Sequence, residues 1–217
     1  EGEKPLYILY DQIYWMLTFG EHKHYDPVNL RPELRDYTIY IDGTSKCFAA
    51  TGVRVGYAFG PTEVIDKMKA ILGHVGAWAP KAEQIATARF LHQAEAVDVF
   101  LDEFKHNVRE SLDVLYYAFQ DLKNEGYSVD AIEPMGAIYL SAKLDLAGST
   151  TPSGQVLQTS KDISFYILEE AKLAVVPFSA FGSAPELGWF RLSVGGASLE
   201  SIKDSLSRLK EALRKLK

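Results

Sequence analysis

Apolar and polar positions along this chain follow two regimes. Short apolar runs separated by small and polar residues occupy the first hundred positions, and a long helical spacing then opens a more regular second part. Residues 6–10 are almost continuously apolar and end in Asp11, the pattern of a buried parallel strand that delivers a carboxylate at its C-terminal edge. Residues 37–41 and 55–59 read as two further strands. From Trp15 to Asp36 the chain is aromatic and polar with no sustained period, as for a short helix end followed by a loop. Gly60-Pro-Thr-Glu opens a helix with Val64, Met68, Ile71 and Leu72 on its apolar face and Gly73 as its stop. A loop over 73–80 and a helix over 80–96 follow.

The longest periodic run covers 97–125, where Phe100, Phe104, Val108, Leu112, Leu115, Phe119 and Leu122 recur three and four positions apart, with Gly126 as the stop. That stripe is core packing, and its length suits a connector from a large domain into a small one. Strand-like segments at 128–132, 134–142, 174–177 and 189–194 then alternate with helices near 161–173 and from Ser198 onward, an α+β pattern. Ser198 is the expected N-cap of the last helix, which carries Leu199, Ile202, Leu206, Leu209 and Leu213 on one face. Residues 144–160 are rich in Gly, Ser, Thr and Pro and read as a mobile surface loop. No internal repeat is visible.

Composition narrows the function classes. With 217 residues and 47% hydrophobic content, the chain builds one large or two modest packed domains. A net charge of −6 offers no basic surface, which argues against nucleic acid and anionic lipid as partners. The single Cys47 rules out an intrachain disulfide and suits a small hydrophobic packing role. No apolar run reaches the roughly 18–20 residues of a membrane span, and no signal pattern opens the chain, so the expectation is a soluble, cytoplasmic protein without membrane contact. His22 and His24 lack cysteine or carboxylate partners at ligand spacing, so they read as surface histidines and no metal is expected.

The candidate chemistry centres on residues 42–56. A strand feeds a turn of small and hydroxylic residues, then Lys46, and Arg54 opens the next strand. That layout places an amine suited to a carbonyl beside a guanidinium fork able to hold a phosphate, with Ser45 and Thr44 as hydroxyl donors. Residues 43–56, Gly-Thr-Ser-Lys-x-x-Ala-Ala-x-Gly-x-Arg-Val-Gly, resemble the pyridoxal-phosphate attachment signature of class I and II aminotransferases and match each of its constrained positions. These belong to the fold-type-I family that includes aspartate aminotransferase.

The resemblance implies a role for each residue. Lys46 would be the Schiff-base lysine for pyridoxal 5′-phosphate and the catalytic base, with Arg54 and Ser45 on the phosphate. Asp11, in an Asp-x-x-Tyr element, would pair with the pyridinium nitrogen, and Tyr14 would hydrogen-bond the ring oxygen. Arg191, in Phe190-Arg-Leu-Ser193, would hold the substrate α-carboxylate, and Gly136 would lie in a turn approaching the substrate. The loop over 73–80 would contribute to a neighbouring subunit's site, Lys81 being the nearest basic residue. One departure is Gly43, where some members carry a hydroxyl ligand of the phosphate. Read from the residues alone, Asp11 equally suits a helix N-cap, Tyr14 a core aromatic, Lys81 an exposed helix start and Arg191 a structural ion pair.

The implied fold is α/β and α+β, the C-terminal part of a fold-type-I transferase: part of the mainly parallel-sheet large domain over 1–96, then the connecting long helix and small domain over 97–217. Members of the family are nearly twice as long, so the expectation is a fragment, inactive alone. The other half would supply a glycine-rich phosphate loop, a ring-stacking aromatic and an asparagine. The implied activity is transamination between an amino acid, aspartate being the first candidate, and a 2-oxo acid, in a homodimer. Another fold-type-I enzyme, a lyase or synthase, and a non-catalytic folding or dimerisation module remain as alternatives.

Overall fold

The computed structural model describes residues 4–184 and 187–217. They divide into two compact units, 1–105 and 106–217.

The first unit is built on a three-stranded sheet of β1 (Ile8–Asp11), β2 (Thr38–Gly43) and β3 (Gly56–Phe59), in that order. β1 runs parallel to β2, with Asp11 opposite Ile41, and β3 returns antiparallel, with Gly56 opposite Gly43. The connection from β1 to β2 holds a short helix, α1 (Pro27–Leu30), and a 3-10 turn, Pro32–Tyr37. Asp26 caps α1 by accepting from the Val28 and Asn29 amides. Between β2 and β3 lie α2 (Thr44–Cys47) and a 3-10 turn, Thr51–Val53. Helices α3 (Thr62–Val75), α4 (Lys81–Leu91) and α5 (Ala94–Asn124) follow.

Several sequence expectations are corrected here. β1 is not buried on both faces: its residues alternate between half-buried and exposed, and Leu9 is 66% exposed, because alternate side chains point to opposite faces and, among the described residues, the face of Leu9 is left uncovered. Helix α3 passes through Gly73 and stops at Gly76, whose φ of 71° lets its amide reach back to the Leu72 carbonyl. An internal glycine weakens a helix, whereas a left-handed residue ends it. The break before the long helix falls at His92 and Gln93, short of position 96. His24 packs with its ring 5.8 Å from both Tyr10 and Trp15 instead of standing free in solvent.

The second unit carries a four-stranded antiparallel sheet of β4 (Val129–Ala131), β5 (Tyr139–Leu144), β7 (Trp189–Ser193) and β6 (Val176–Pro177), in that spatial order. Helices α6 (Ser160–Ala171) and α7 (Leu199–Arg214) pack on each other, and Tyr166 donates its hydroxyl to the Ala212 carbonyl at 2.7 Å. The apolar stripe on α5 supplies Val108, Leu112, Leu115, Phe119 and Leu122 to this core, together with Leu140, Ile167, Phe190 and Leu209. Ser198 caps α7 as expected, its side chain accepting from the Ser201 amide.

Residues 144–160 are tied down at several points. Thr150 pairs with Val156 and exchanges two backbone hydrogen bonds with Lys217, at 2.8 and 3.1 Å, while Leu146 and Leu157 are buried. Glycine and serine mark tight turns there. Among the described residues, no helix is long and apolar enough to cross a membrane.

Candidate functional site

The parallel pair β1 and β2 ends in two segments that leave the same edge of the sheet. Asp11 closes β1, and its exposed carboxylate accepts from the Ile13 amide at 3.2 Å, an Asx-type turn in place of a long helix cap. Tyr14 lies one turn on. Gly43 closes β2, and the single helical turn α2 presents Lys46, half-buried, with its Nζ 5.9 Å from the centre of the Tyr14 ring. The C-terminal edge of parallel strands is where open α/β sheets place their ligands.

The turn is locked from below. Thr44 is buried and sends both its amide, at 3.1 Å, and its hydroxyl, at 3.2 Å, to the Val55 carbonyl, so that hydroxyl is committed to the backbone rather than open to a ligand. Cys47 is buried and its thiol reaches the Ile13 carbonyl at 3.2 Å; burial pushes that thiol's pKa up. Gly43 answers to the same packing. A Cβ there would stand 2.9 Å from the Val55 oxygen and 3.1 Å from Gly56 Cα, so the close approach of β2 to β3 excludes a hydroxyl side chain at this position.

Arg54 precedes β3 in the left-handed region, φ 59°, as does Ala49, φ 49°, within the same turn. Such backbone in non-glycine residues is costly and clusters at functional sites. Arg54 is exposed and donates one hydrogen bond, Nη1 to the Thr51 carbonyl at 2.8 Å, leaving most of its fork uncommitted. Among the described residues, Lys46 Nζ has no hydrogen bond or ion pair, and neither does the Ser45 hydroxyl.

Arg191 belongs to the second unit. On β7 it alternates with the buried Phe190 and Leu192 and so faces away from the core. Its guanidinium carbon lies 4.4 Å from the Tyr139 ring centre and 4.7 Å from that of Phe181. Its Nε is buried, and among the described residues it has no hydrogen-bond partner and the guanidinium makes no ion pair. Aromatic faces hold the charge without satisfying its donors, which leaves the edge of the fork for an anion. Lys81 is the exposed first residue of α4, and Gly136 lies in the half-buried turn before β5, next to Ala137 at φ 60°.

Sequence reasoning missed Asp42. Its carboxylate is buried at the end of β2 and accepts from Trp15 Nε1 at 2.9 Å, Tyr57 Oη at 3.1 Å, Gln12 Nε2 at 3.3 Å and the Gly43 amide at 2.7 Å. Burial, then the charge and hydrogen bond of Asp42, push the Tyr57 phenol up to about 12. The available signal was the two-residue period: Thr38, Tyr40 and Asp42 share the buried face of β2, while Ile39 and Ile41 are only half-buried.

Such a strand edge, with an amine free of hydrogen bonds and ion pairs among the described residues, a carboxylate, a hydroxyl and a largely free guanidinium, has the chemistry suited to a ligand with both a carbonyl and a phosphate. The family model described as Aminotransferase class I and II matches residues 2–209, and the chain belongs to that family, whose members use pyridoxal phosphate. It is 31% identical to the aspartate aminotransferase of Rhizobium meliloti (strain 1021) over 212 residues, 97% of this chain and 49% of that protein. It is 32% identical to the probable aspartate/prephenate aminotransferase of Rickettsia bellii (strain RML369-C) over 206 residues, 94% of this chain and 49% of that protein. The crystal structure of the Rhizobium meliloti aspartate aminotransferase superposes with a TM-score of 0.82 at 29% identity, covering 97% of this chain and 50% of that one. That of the aromatic aminotransferase from Pyrococcus horikoshii OT3 gives 0.83 at 25% identity, over 96% and 51%. The fold is thus the C-terminal part of fold type I, α/β in the portion shared with the large domain and α+β in the small domain. The chain spans about half the length of the curated relatives it matches.

The residues present fit pyridoxal phosphate. Lys46 offers an amine with no hydrogen bond or ion pair among the described residues, Asp11 an exposed carboxylate, and Ser45 and Arg54 donors suited to a phosphate.

Proposed function

We propose that the protein of which this chain forms part is a pyridoxal-phosphate-dependent aminotransferase that moves an amino group from an amino acid, aspartate in the first instance, to a 2-oxo acid. The observation that carries this reading is the Lys46 amine, without a hydrogen bond or ion pair among the described residues, on the same sheet edge as Asp11, Ser45 and Arg54. Pyridoxal phosphate, when bound, supplies a carbonyl to take up amines and a conjugated ring that accepts electrons from the substrate's α-carbon.

The chain's own residues do the rest. Lys46 Nζ holds the cofactor and, when substrate amine takes that place, moves the substrate's α-proton. The Asp11 carboxylate keeps a proton on the ring nitrogen, and Tyr14 donates to the ring oxygen. Arg54, through its free fork, and Ser45 hold the phosphate. Arg191 receives the substrate α-carboxylate along the edge left open by Tyr139 and Phe181. Division into a large-domain part over 1–96 and a connecting helix with small domain over 97–217 accompanies this reading, as do a homodimer and a cytoplasmic location.

The test is borohydride reduction of the full-length protein with pyridoxal phosphate, followed by peptide mass spectrometry and product analysis with aspartate and 2-oxoglutarate. A single adduct on Lys46, absent in Lys46→Ala, together with oxaloacetate and glutamate, is the expected result. Label scattered over surface lysines would refute the cofactor role. A product other than an oxo acid and a newly aminated acceptor would favour a lyase or synthase. The 217-residue chain by itself is expected to retain the cofactor weakly and to turn over little, and robust turnover by it would overturn that expectation.

A further inference from the structure

One carboxylate of the first unit is buried, fully engaged and unused by the chemistry assigned above. Asp42 is 5% exposed and has no cationic partner among the described residues. Its four donors come from three segments: Gln12 and Trp15 follow Asp11, Gly43 opens the turn of Lys46, and Tyr57 lies in β3 just after Arg54. The same carboxylate therefore touches every segment that carries a member of the lysine site.

The donors also explain why this residue is an aspartate. The Trp15 indole N–H and the Gly43 amide can only donate, and they meet opposite oxygens, Oδ2 and Oδ1. An asparagine offers one accepting atom and one donating group, so it leaves one of those two facing another donor. An aliphatic side chain leaves all of them unsatisfied in a buried place. Only a carboxylate accepts on both sides.

We propose that Asp42 is the positioning residue of the lysine site, its carboxylate holding the segments of Asp11, Lys46 and Arg54 in one register. It touches neither cofactor nor substrate and acts through Trp15, Tyr57 and the Gly43 amide. The inference rests on the reading of Lys46 given above.

Asp42→Asn, Trp15→Phe and Tyr57→Phe in the full-length protein test it by two readouts, taken well below each variant's thermal midpoint. The first is the rate of borohydride-trapped labelling of Lys46 by pyridoxal phosphate. Asp42→Asn is expected to slow it about tenfold to a hundredfold, the range for losing a hydrogen bond to a charged group, with smaller losses in the two donor variants. The second is amide hydrogen exchange, expected to quicken together at 12–16 and 43–47 while 106–217 stays unchanged. A purely structural Asp42 would lower the thermal midpoint but leave the labelling rate of the folded protein at the wild-type value, and that result overturns the proposal. Should Asp42→Asn fail to fold, Trp15→Phe decides, and wild-type labelling and exchange in it overturn the proposal as well. Absence of a Lys46 adduct in the wild type would remove the cofactor reading alone. Exchange then decides the register, joint quickening supporting it and separate or absent quickening refuting it.

Discussion

The two units of this chain solve the problem of an interior differently. The second closes on apolar side chains, with Phe119, Leu140, Ile167, Phe190 and Leu209 all without exposure. The first buries Leu17, Phe19, Cys47 and Val55 around a polar network, with Thr38, Asp42 and Thr44 among its interior residues, and its α3 and α4 carry no buried residue at all. Packing therefore holds the second unit, while hydrogen bonds to carboxylates organise the first. The polar interior of the first unit suits the proposed site: the Asp42 network lies beside Lys46 and Ser45, which make no hydrogen bond among the described residues, and beside Arg54, which spends one donor on the Thr51 carbonyl.

The contrast can be broken at its strongest point by truncation. Phe190→Ala, on β7, is expected to cost about 3–5 kcal/mol in urea unfolding, the range for deleting a fully buried aromatic. Val75→Ser on α3, where the side chain is 70% exposed, is expected to change stability by less than about 0.5 kcal/mol. Similar costs at the two positions would mean that α3 packs against an apolar interior.

Helix ends give a smaller effect in the same direction. Thr159 and Asp162 form a capping box at the start of α6, whereas α3 and α4 begin after Pro61 and Pro80 with no side-chain cap. Thr159→Ala is expected to cost about 1 kcal/mol of unfolding free energy. A Pro61→Ala change removes no side-chain hydrogen bond and should shift stability less in the same assay.

The polar interior is sharpened most finely by alkaline titration of phenol absorbance. Burial and the Asp26 carboxylate push Tyr40 up to about 12, and burial and Asp42 do the same for Tyr57. Both phenols keep their protons in the folded chain above the ordinary value of 10.0, so between about 10 and about 12 the native state binds more protons than the unfolded one. Their contribution to stability is thus complete below pH 10 and is lost as the pH rises toward 12. Asp42→Asn should bring Tyr57 down and leave Tyr40 in place, whereas Asp26→Asn should lower Tyr40 together with Tyr10 and leave Tyr57 in place. If either variant moved both Tyr40 and Tyr57, the two carboxylates would belong to one network.

Much of the second unit was legible in the sequence because its elements are specified locally. The α5 stripe, the Ser198 cap and the strand of Arg191 each follow from residues a few positions apart. Of the two helix stops read from single glycines, Gly126 held, with φ 95° just past the end of α5, and Gly73 failed, since a helix tolerates glycine until the backbone turns left-handed, as it does at Gly76. Composition marked residues 145–159 correctly as a loop, but not its anchoring: Thr150 is tied to Lys217, more than fifty positions further along the chain.

For the site, the sequence by itself determined the chemical types and their spacing: an amine at 46, a guanidinium at 54, a carboxylate at 11 and a late arginine at 191, enough to mark the family. Tertiary structure alone decided which of those groups stay free. Thr44 is consumed by Val55, Gly43 is demanded by the backbone of β3, Arg191 is held between two rings, and the buried Asp42 gathers donors from positions 12, 15, 43 and 57. The physical reason is reach. Spacing along the chain sets the period and the cap, whereas a buried hydrogen bond is decided by whichever groups the fold brings within about 3 Å of one another.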